Sequence, residues 1–448
     1  MQKKFNKSLL STAIENNSYK KILWSIVSLS FLIKILLALF LPSEIRSDSY
    51  VYHSLAQSIV NTFTYSFEGK LTGVIAPGYS IFLSGLYFIF GPEQFYVKIV
   101  QSVLEIFTCY LFFRVCLNYF DKKKSLIALA IFAFFPSNIL FSQTILTEPL
   151  FGFISILILF LVLKDNFFKY IFFIGLLWGY AILIRSSFAP SILLIPIFLF
   201  FYKRKEINLN GFLKYSLLFF IGAFFVISPW LIRNKTVLNT YTIATQGGFT
   251  FWSGSNPNAT GTWYHKIEES NPLFNIEDEA LRDKEFFKLG IDYAVNNPAK
   301  FLITGIKKLG YLFSSERMII LYFTKGDGKE STSTQVYKSV SPVWIALINI
   351  PYFIVMSLGL WGLMMMKRKT FFLWGMIFSW LFTFFMFVAL ARYHYVLIPF
   401  FIIGTVYFIY HYKTDFYGIA KWKKATAVLF NLFLLGVWGA EFYLLYFK

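Results

Sequence analysis

Long apolar segments follow one another along most of this 448-residue chain. A helix that crosses a bilayer needs about 20 mainly apolar residues, with a range of roughly 17–25. Because 57% of the residues are hydrophobic and only 15% are charged, the composition is far from that of a soluble domain. The sequence therefore predicts an all-α polytopic membrane protein. Eleven segments are candidate spans: 23–42, 96–119, 125–141, 147–163, 170–184, 188–202, 214–232, 342–365, 371–390, 395–411 and 425–446.

The distribution of basic residues predicts how these spans are oriented. The net charge is +19, but Lys and Arg occur in short clusters between apolar segments, which indicates membrane topology and no nucleic-acid partner. Lysines precede the first apolar segment and no small-residue cleavage site follows it, so we interpret it as a retained anchor with a cytoplasmic N-terminus.

One segment, "PGYSIFLSGLYFIFG" at 77–91, decides the rest of the topology. Counting it as a span would invert every later loop, whereas a juxtamembrane helix at the outer surface leaves the basic clusters cytoplasmic. These clusters lie at 122–124, 164 and 169, 203–205 and 214, 367–369, and 413, 421, 423 and 424.

The predicted topology divides the chain into three parts. Residues 1–233 form an N-terminal transmembrane module that includes the first outer loop, 43–95. Residues 234–341 form a large extracytoplasmic loop, and residues 342–448 form the C-terminal transmembrane helices. Within the large loop, segment 297–323 has lysines spaced among Phe, Leu and Ile, which predicts an amphipathic helix on the membrane surface.

Several ionisable residues fall at the outer boundary of the predicted membrane. They are Asp48, Glu148, Arg185, Arg233, Arg392 and His394. Ionisable groups near hydrocarbon usually face a protein interior or a water-filled cavity, which makes them functional candidates. A single arginine at the end of a span can instead be an anchor that reaches to the lipid headgroups. Three arginines on the outer side are more than the positive-inside bias predicts. If they lie together, they could bind a phosphate through their forked donors.

The two acids each allow two interpretations. Ser47 or Asp48 could cap a helix that begins near Ser49, or Asp48 could be a base that takes a proton from an acceptor hydroxyl or amine. Glu148 follows Thr147 and precedes a proline, so it could be a first-turn charge favoured by the helix dipole, or a catalytic group.

The remaining candidate groups do not indicate a metal or a disulfide. Cys109 and Cys116 lie in one apolar stretch without a CxxC motif, and His53 and His265 are isolated, which leaves metal dependence open but unsupported. We expect Glu105, within the second span, to pair with a polar residue on a neighbouring turn such as Lys98 or Gln101.

Six stretches in a fixed order carry a resemblance to a known family. They are "SDSYVYHSLAQSIV" followed by "APGYSIFLSGLYFIFG", then "FPSNILFSQTILTEPLF", "GLLWGYAILIRSSFAP", "SPWLIRNKTVLNTYTIATQGGFTFWSGSNPNATG" and "ARYHYVLIPF". Over roughly residues 48–399 the chain resembles family 39 GT-C glycosyltransferases, the dolichyl-phosphate-mannose protein mannosyltransferase and aminoarabinose transferase type. The resemblance implies a GT-C fold and inverting transfer of a sugar from a polyprenyl-phosphate carrier. The acceptor would be a lipid, glycan, glycolipid or protein on the outer face of a bacterial inner membrane.

The resemblance also implies roles for individual residues. Asp48 matches the catalytic base and Glu148 matches the acidic position of the second outer loop. The donor-phosphate candidates are Arg185, Arg233 and Arg392, and the candidate substrate contacts are Tyr52, Tyr79, His394 and Asn256. No cofactor is implied. Ser49 and Ala76 depart from the family pattern, since many members have a second acid and a further proline there; the missing acid puts a metal-binding role in doubt.

Two other functions would use similar residues. A transporter or flippase of a lipid-linked saccharide would also place arginines at membrane level, but it would more naturally show inverted repeats or broken helices, which the sequence lacks. An O-antigen ligase or polymerase would take a diphosphate-linked saccharide and could use arginines of the large outer loop.

Overall fold

The structure, a computed structural model, confirms the prediction of an all-α polytopic membrane protein. It describes residues 2–203, 206–263, 271–324, 338, 340–367 and 369–446. His265, part of the predicted large loop and three residues of the predicted basic clusters (Arg204, Lys205 and Arg368) lie outside the described residues.

The described residues form eighteen α-helices, numbered in chain order. They are α1 Gln2–Phe40, α2 Asp48–Thr62, α3 Gly78–Phe90, α4 Gln94–Cys116, α5 Lys122–Ala133, α6 Pro136–Phe141, α7 Glu148–Val162, α8 Ile171–Ile184, α9 Leu194–Tyr202, α10 Leu209–Leu238, α11 Gly247–Ser253, α12 Glu279–Asn296, α13 Pro298–Leu312, α14 Arg317–Ile320, α15 Pro342–Met365, α16 Phe371–Met386, α17 Ile398–Asp415 and α18 Lys421–Tyr446. Short 3₁₀ helices cover Phe167–Tyr170, Ser186–Leu193, Pro272–Asn275 and Ala391–Leu397. The strands β1 (Ser66–Phe67) and β2 (Lys70–Leu71) form one antiparallel hairpin in which Ser66 pairs with Leu71.

Within the described residues, seven helical segments are long and apolar enough to cross a membrane. They are Ser18–Phe40, Gln94–Cys116, Phe167–Ile184, Leu209–Leu238, Pro342–Met365, Ala391–Asp415 and Lys421–Tyr446. Shorter apolar helices occupy Gly78–Phe90, Glu148–Val162, Ser186–Tyr202 and Phe371–Met386. Every predicted span overlaps helical structure, but 125–141 is divided between α5 and α6, because the residue before Pro136 is extended and interrupts the helix. The total of eleven spans stays a prediction.

Glycines fix two pairs of helices at close range. A Cβ atom on Gly175 of α8 would lie 2.2 Å from the carbonyl oxygen of Phe219 on α10, and one on Gly362 of α15 would lie 1.7 Å from that of Gly404 on α17. Small residues at such crossings let helix backbones approach each other in a membrane. The packing fixes α8, whose C-terminal end carries Arg185, and α17, which follows the segment that carries Arg392.

The segment predicted to be the first outer loop is held by the segment predicted to be the large loop. Glu279 of α12 accepts hydrogen bonds from the hydroxyl of Thr72 at 2.7 Å and from the backbone N–H of Gly73 at 2.5 Å. Helix α13 lies in the segment predicted to be amphipathic: Leu302 and Ile306 are exposed, whereas Lys308 is buried. Its location on the membrane surface, like the three-part division of the chain, stays a prediction.

Candidate active site

Two acids and two arginines from distant parts of the chain meet in one charged cluster, defined here as Asp48, Glu148, Arg185 and Arg392. Arg392 Nη2 forms an ion pair with the Asp48 carboxylate. Its Nε lies 3.9 Å from Glu148 Oε1, and the same oxygen lies 2.5 Å from Nη2 of Arg185. The charges therefore alternate, in the order Asp48, Arg392, Glu148, Arg185.

Each member of the charged cluster lies at or next to the end of a helix. Asp48 and Glu148 are the first residues of α2 and α7, where the partial positive charge of the helix favours an acid. Arg185 directly follows the last residue of α8, where a cation is favoured, and Arg392 lies in the 3₁₀ helix between α16 and α17. Helix ends that meet at one boundary thus assemble the cluster.

The first residues of α2 make no side-chain cap, and the catalytic role of Asp48 stays a prediction. Ser47 is the N-cap of α2 but makes no side-chain cap, and the Asp48 carboxylate pairs with Arg392 instead. Glu148 has the first-turn position that the sequence predicted, and its carboxylate in addition binds Arg185. Neither acid is explained by helix capping alone.

Polar and aromatic neighbours that the sequence reasoning missed complete the cluster. Arg392 Nη1 donates to the Tyr322 hydroxyl at 3.1 Å, and Arg185 Nε donates to the Thr147 hydroxyl at 2.8 Å. The ring of Tyr393 lies 5.4 Å from the guanidinium carbons of both arginines. Thr147 and Tyr393 are sequence neighbours of predicted site residues, and this proximity could have identified them. No feature of the sequence relates Tyr322 to the site. Burial raises the pKa of Tyr322, so it remains a neutral hydroxyl beside the arginine.

A large cavity opens at this cluster. Its volume is about 1460 Å³, and Asp48, Arg185, Arg392 and Tyr393 contribute to its wall. The other walls come from the first outer loop, the C-terminal end of α10, the described part of the large loop and the end of α16. Such a volume exceeds the roughly 300–1,000 Å³ of a typical small-molecule pocket.

The two predicted tyrosine contacts have different positions. Tyr52 lines the cavity, and burial, followed by the nearby Asp48 charge, raises its pKa, so its hydroxyl stays protonated. Tyr79 is fully buried, with its ring edge-on to Tyr52 at 5.0 Å, and it donates to Gln101 Oε1 at 2.8 Å. Tyr52 is therefore accessible from the cavity, and Tyr79 supports it.

His394 and Asn256 have structural contacts away from the charged cluster. His394 is fully buried, with Nδ1 2.8 Å from the carbonyl oxygen of Leu312 and Nε2 3.1 Å from Glu316 Oε1. The Asn256 side chain donates to the carbonyl of Trp252 at 2.9 Å and accepts from the N–H of Asn258 at 2.8 Å, which stabilises a turn. Their predicted roles as substrate contacts stay predictions.

Arg233 holds the segment predicted to be the first outer loop. Its guanidinium donates to the carbonyl oxygens of Thr72 at 2.6 Å and Tyr65 at 2.9 Å, and lies 4.9 Å from the ring of Trp230. The structure thus joins two of the three predicted arginines in the charged cluster. A phosphate contact for Arg233 stays a prediction.

The described residues include no group of three or more His, Cys, Asp or Glu side chains arranged to hold a metal ion.

The expected partners of Glu105 are wrong: its carboxylate lies 3.9 Å from Nζ of Lys34 on α1 and accepts from the Tyr395 hydroxyl at 3.3 Å. Both partners come from other helical segments, which spacing within α4 does not reveal.

Comparison with known proteins gives one family match. Residues 75–232 match the model described as dolichyl-phosphate-mannose-protein mannosyltransferase. The match confirms the predicted resemblance to GT-C glycosyltransferases of this type, and the matched region includes Glu148 and Arg185. No curated protein matches the chain.

Among solved structures, the chain is similar to the oligosaccharyltransferase of Archaeoglobus fulgidus. One structure is described as archaeal AglB in complex with an inhibitory peptide and a dolichol-phosphate. The two chains are 14% identical, the match covers 93% of this chain and 55% of the AglB chain, and the TM-score is 0.47. The apo form is 13% identical and covers 93% and 56%, with the same TM-score of 0.47. The chain spans about half the length of these structures.

Proposed function

We propose that the protein is a membrane glycosyltransferase that moves a sugar from a polyprenyl-phosphate carrier to an acceptor hydroxyl or amine. The observation that carries this proposal is the charged cluster at a large cavity, where an accessible carboxylate lies beside two buried guanidinium groups. The family match over residues 75–232 supports the same reaction class.

The two arginines supply what a phosphate-linked donor requires. Guanidinium groups bind phosphate oxygens through forked, charge-assisted hydrogen bonds. Only 8% of the Arg185 side chain and 5% of the Arg392 side chain are exposed, so their interaction with a developing negative charge is weakly screened by water. The cavity is large enough for a sugar and its phosphate together with an acceptor group.

Asp48 would then be the base of an inverting transfer. The acceptor oxygen or nitrogen attacks the anomeric carbon while Asp48 takes its proton. The bond from the anomeric carbon to the phosphate oxygen breaks on the opposite face, and its electron pair leaves with the polyprenyl phosphate. Arg185 and Arg392 stabilise the charge that develops on that phosphate.

The reaction would take place at the outer face of a bacterial inner membrane, with the N-terminus in the cytoplasm. The basic clusters and the residues of the charged cluster fall at opposite ends of the predicted spans, which supports this orientation. The acceptor would be a lipid, a glycan or a protein, and membrane lipids would surround the apolar helices.

Transfer of radiolabelled sugar from polyprenyl-phosphate donors tests the proposal, in membranes containing the wild type, Asp48→Asn or Glu44→Gln. Glu44 pairs with Arg46 and not with the charged cluster, so its variant is a control for the loss of one negative charge from the same loop. We expect label in an extractable acceptor with the wild type and Glu44→Gln, and none with Asp48→Asn at equal expression.

Three other results would contradict all or part of the proposal. Equal transfer by all three proteins would remove Asp48 as the base. Transfer from diphosphate-linked donors alone would instead indicate a ligase or polymerase, and movement of the intact donor across the membrane would indicate a transporter.

A further inference from the structure

The two acids of the charged cluster differ in their freedom to move. The Glu148 side chain is completely buried between Arg185 and Arg392, whereas 44% of the Asp48 side chain is exposed. Asp48 lines the cavity and its ion-pair partner is Arg392. A turn of its side chain toward water would therefore break one ion pair and leave the buried part of the cluster intact.

Both terminal nitrogens of Arg392 have a partner, and its Nε, which has no hydrogen-bond partner, is buried. Arg392 contacts Asp48 through Nη2 and Tyr322 through Nη1, and Arg185 contacts Glu148 through Nη2 and Thr147 through Nε. A phosphate that binds the terminal nitrogens of Arg392 must therefore replace one of their present partners. Replacing Glu148 would strand a buried carboxylate, which is strongly unfavourable, whereas a half-exposed carboxylate loses little when it returns to water.

We propose that the donor phosphate displaces Asp48 from Arg392, so that donor binding itself releases the base, while Glu148 is a positioning residue that keeps both arginines aligned. This inference rests on the proposed function. While Asp48 is paired with Arg392, its carboxylate oxygen contacts the guanidinium and not an acceptor hydroxyl or amine. The base is thus held in check until the sugar donor is bound, and donor binding precedes activation of the acceptor.

Binding of undecaprenyl phosphate to the purified full-length protein tests the displacement. Asp48→Asn removes the carboxylate that competes for Arg392, so we expect this variant to bind the probe about fivefold more tightly than the wild type, although it cannot transfer sugar. Glu44→Gln removes the same charge from the same loop without freeing Arg392, and should bind like the wild type. Asp48→Ser gives the same comparison with a smaller side chain if Asp48→Asn is not obtained folded.

The outcomes separate the two proposals. Unchanged or weaker binding by both Asp48 variants, with normal binding by the wild type, would overturn the displacement and leave the glycosyltransferase proposal standing. A gain in affinity with Glu44→Gln as large as that with Asp48→Asn would also overturn it, as a general charge effect. Failure of the wild type to bind undecaprenyl phosphate would remove both proposals.

Steady-state kinetics test the role of Glu148. Glu148→Asp keeps the charge but shortens the side chain, so the arginines should lose their alignment. We expect the KM for the donor to rise about tenfold with little change in kcat or in the KM for the acceptor. A fall in kcat at an unchanged donor KM would show that Glu148 takes part in the chemical step, and would overturn the positioning role.

Discussion

Replacing Glu148 by Gln should destabilise the protein far more than replacing Asp48 by Asn. Glu148 is fully buried and lies 2.5 Å from Arg185, whose side chain is itself buried. Removing one partner of such a pair costs roughly 3–5 kcal/mol, because the other charge remains in a medium of low polarity. The ion pair of Asp48, whose side chain is 44% exposed, is worth at most about 1 kcal/mol, since water reaches the carboxylate and Arg392 keeps a second acid nearby.

The difference between the two variants, about 2–4 kcal/mol, is large enough to measure as a shift in melting temperature in detergent. We expect Glu148→Gln to melt several degrees below Asp48→Asn. A double variant, Glu148→Gln with Arg185→Gln, should regain part of the loss, because it no longer buries an unpaired cation. Equal melting temperatures for the two single variants, or a double variant whose loss is the full sum of its singles, would refute this reasoning.

Two further predictions concern the other cations. Arg392→Ala should weaken undecaprenyl phosphate binding by about 10- to 100-fold, and normal binding by this variant would exclude Arg392 from the phosphate site. Arg233→Ala should mainly lower the melting temperature, because the Arg233 guanidinium donates to backbone carbonyls. Burial lowers the pKa of Lys308 to about 7, so between pH 7 and about 10.4 the unfolded chain binds more protons than the folded chain. The free energy of unfolding should therefore rise by about 2 kcal/mol from pH 7 to pH 9. Lys308→Met should show no such rise, and an equal rise in this variant would contradict the prediction.

The helices and the positions of the site acids could be predicted because they depend on local features of the sequence. Apolar length indicates a span, and an ionisable residue at its end marks the boundary. The pairing of the site residues could not be predicted. Asp48 and Arg392 are 344 positions apart, and no periodicity along the chain relates them. Glu105 shows the same limit, since its partner Lys34 lies on another helix, while the sequence reasoning examined neighbouring turns.

His394 shows that neighbours in the sequence need not face the same cavity. The segment Ala391–Leu397 is a 3₁₀ helix, in which successive side chains point about 120° apart, as expected for three residues per turn. Arg392 and Tyr393 therefore line the cavity, whereas His394 contacts Glu316 in the interior. The sequence alone predicted neither the type of helix nor its register.

The same 3₁₀ helix explains how the site can hold its arginine firmly while its acid moves. Next to Arg392, the Tyr393 carbonyl accepts from Trp380 Nε1 at 2.8 Å, His394 contacts Glu316, and the Tyr395 hydroxyl donates to Glu105. The side chains of Trp380, His394 and Tyr395 are buried, so three contacts hold the segment that carries Arg392. Asp48, by contrast, lies at the first residue of α2 with nearly half its side chain in water. A phosphate can displace a carboxylate from an arginine only if the arginine stays in place and the carboxylate can move. The displaced carboxylate can then accept a proton from the acceptor.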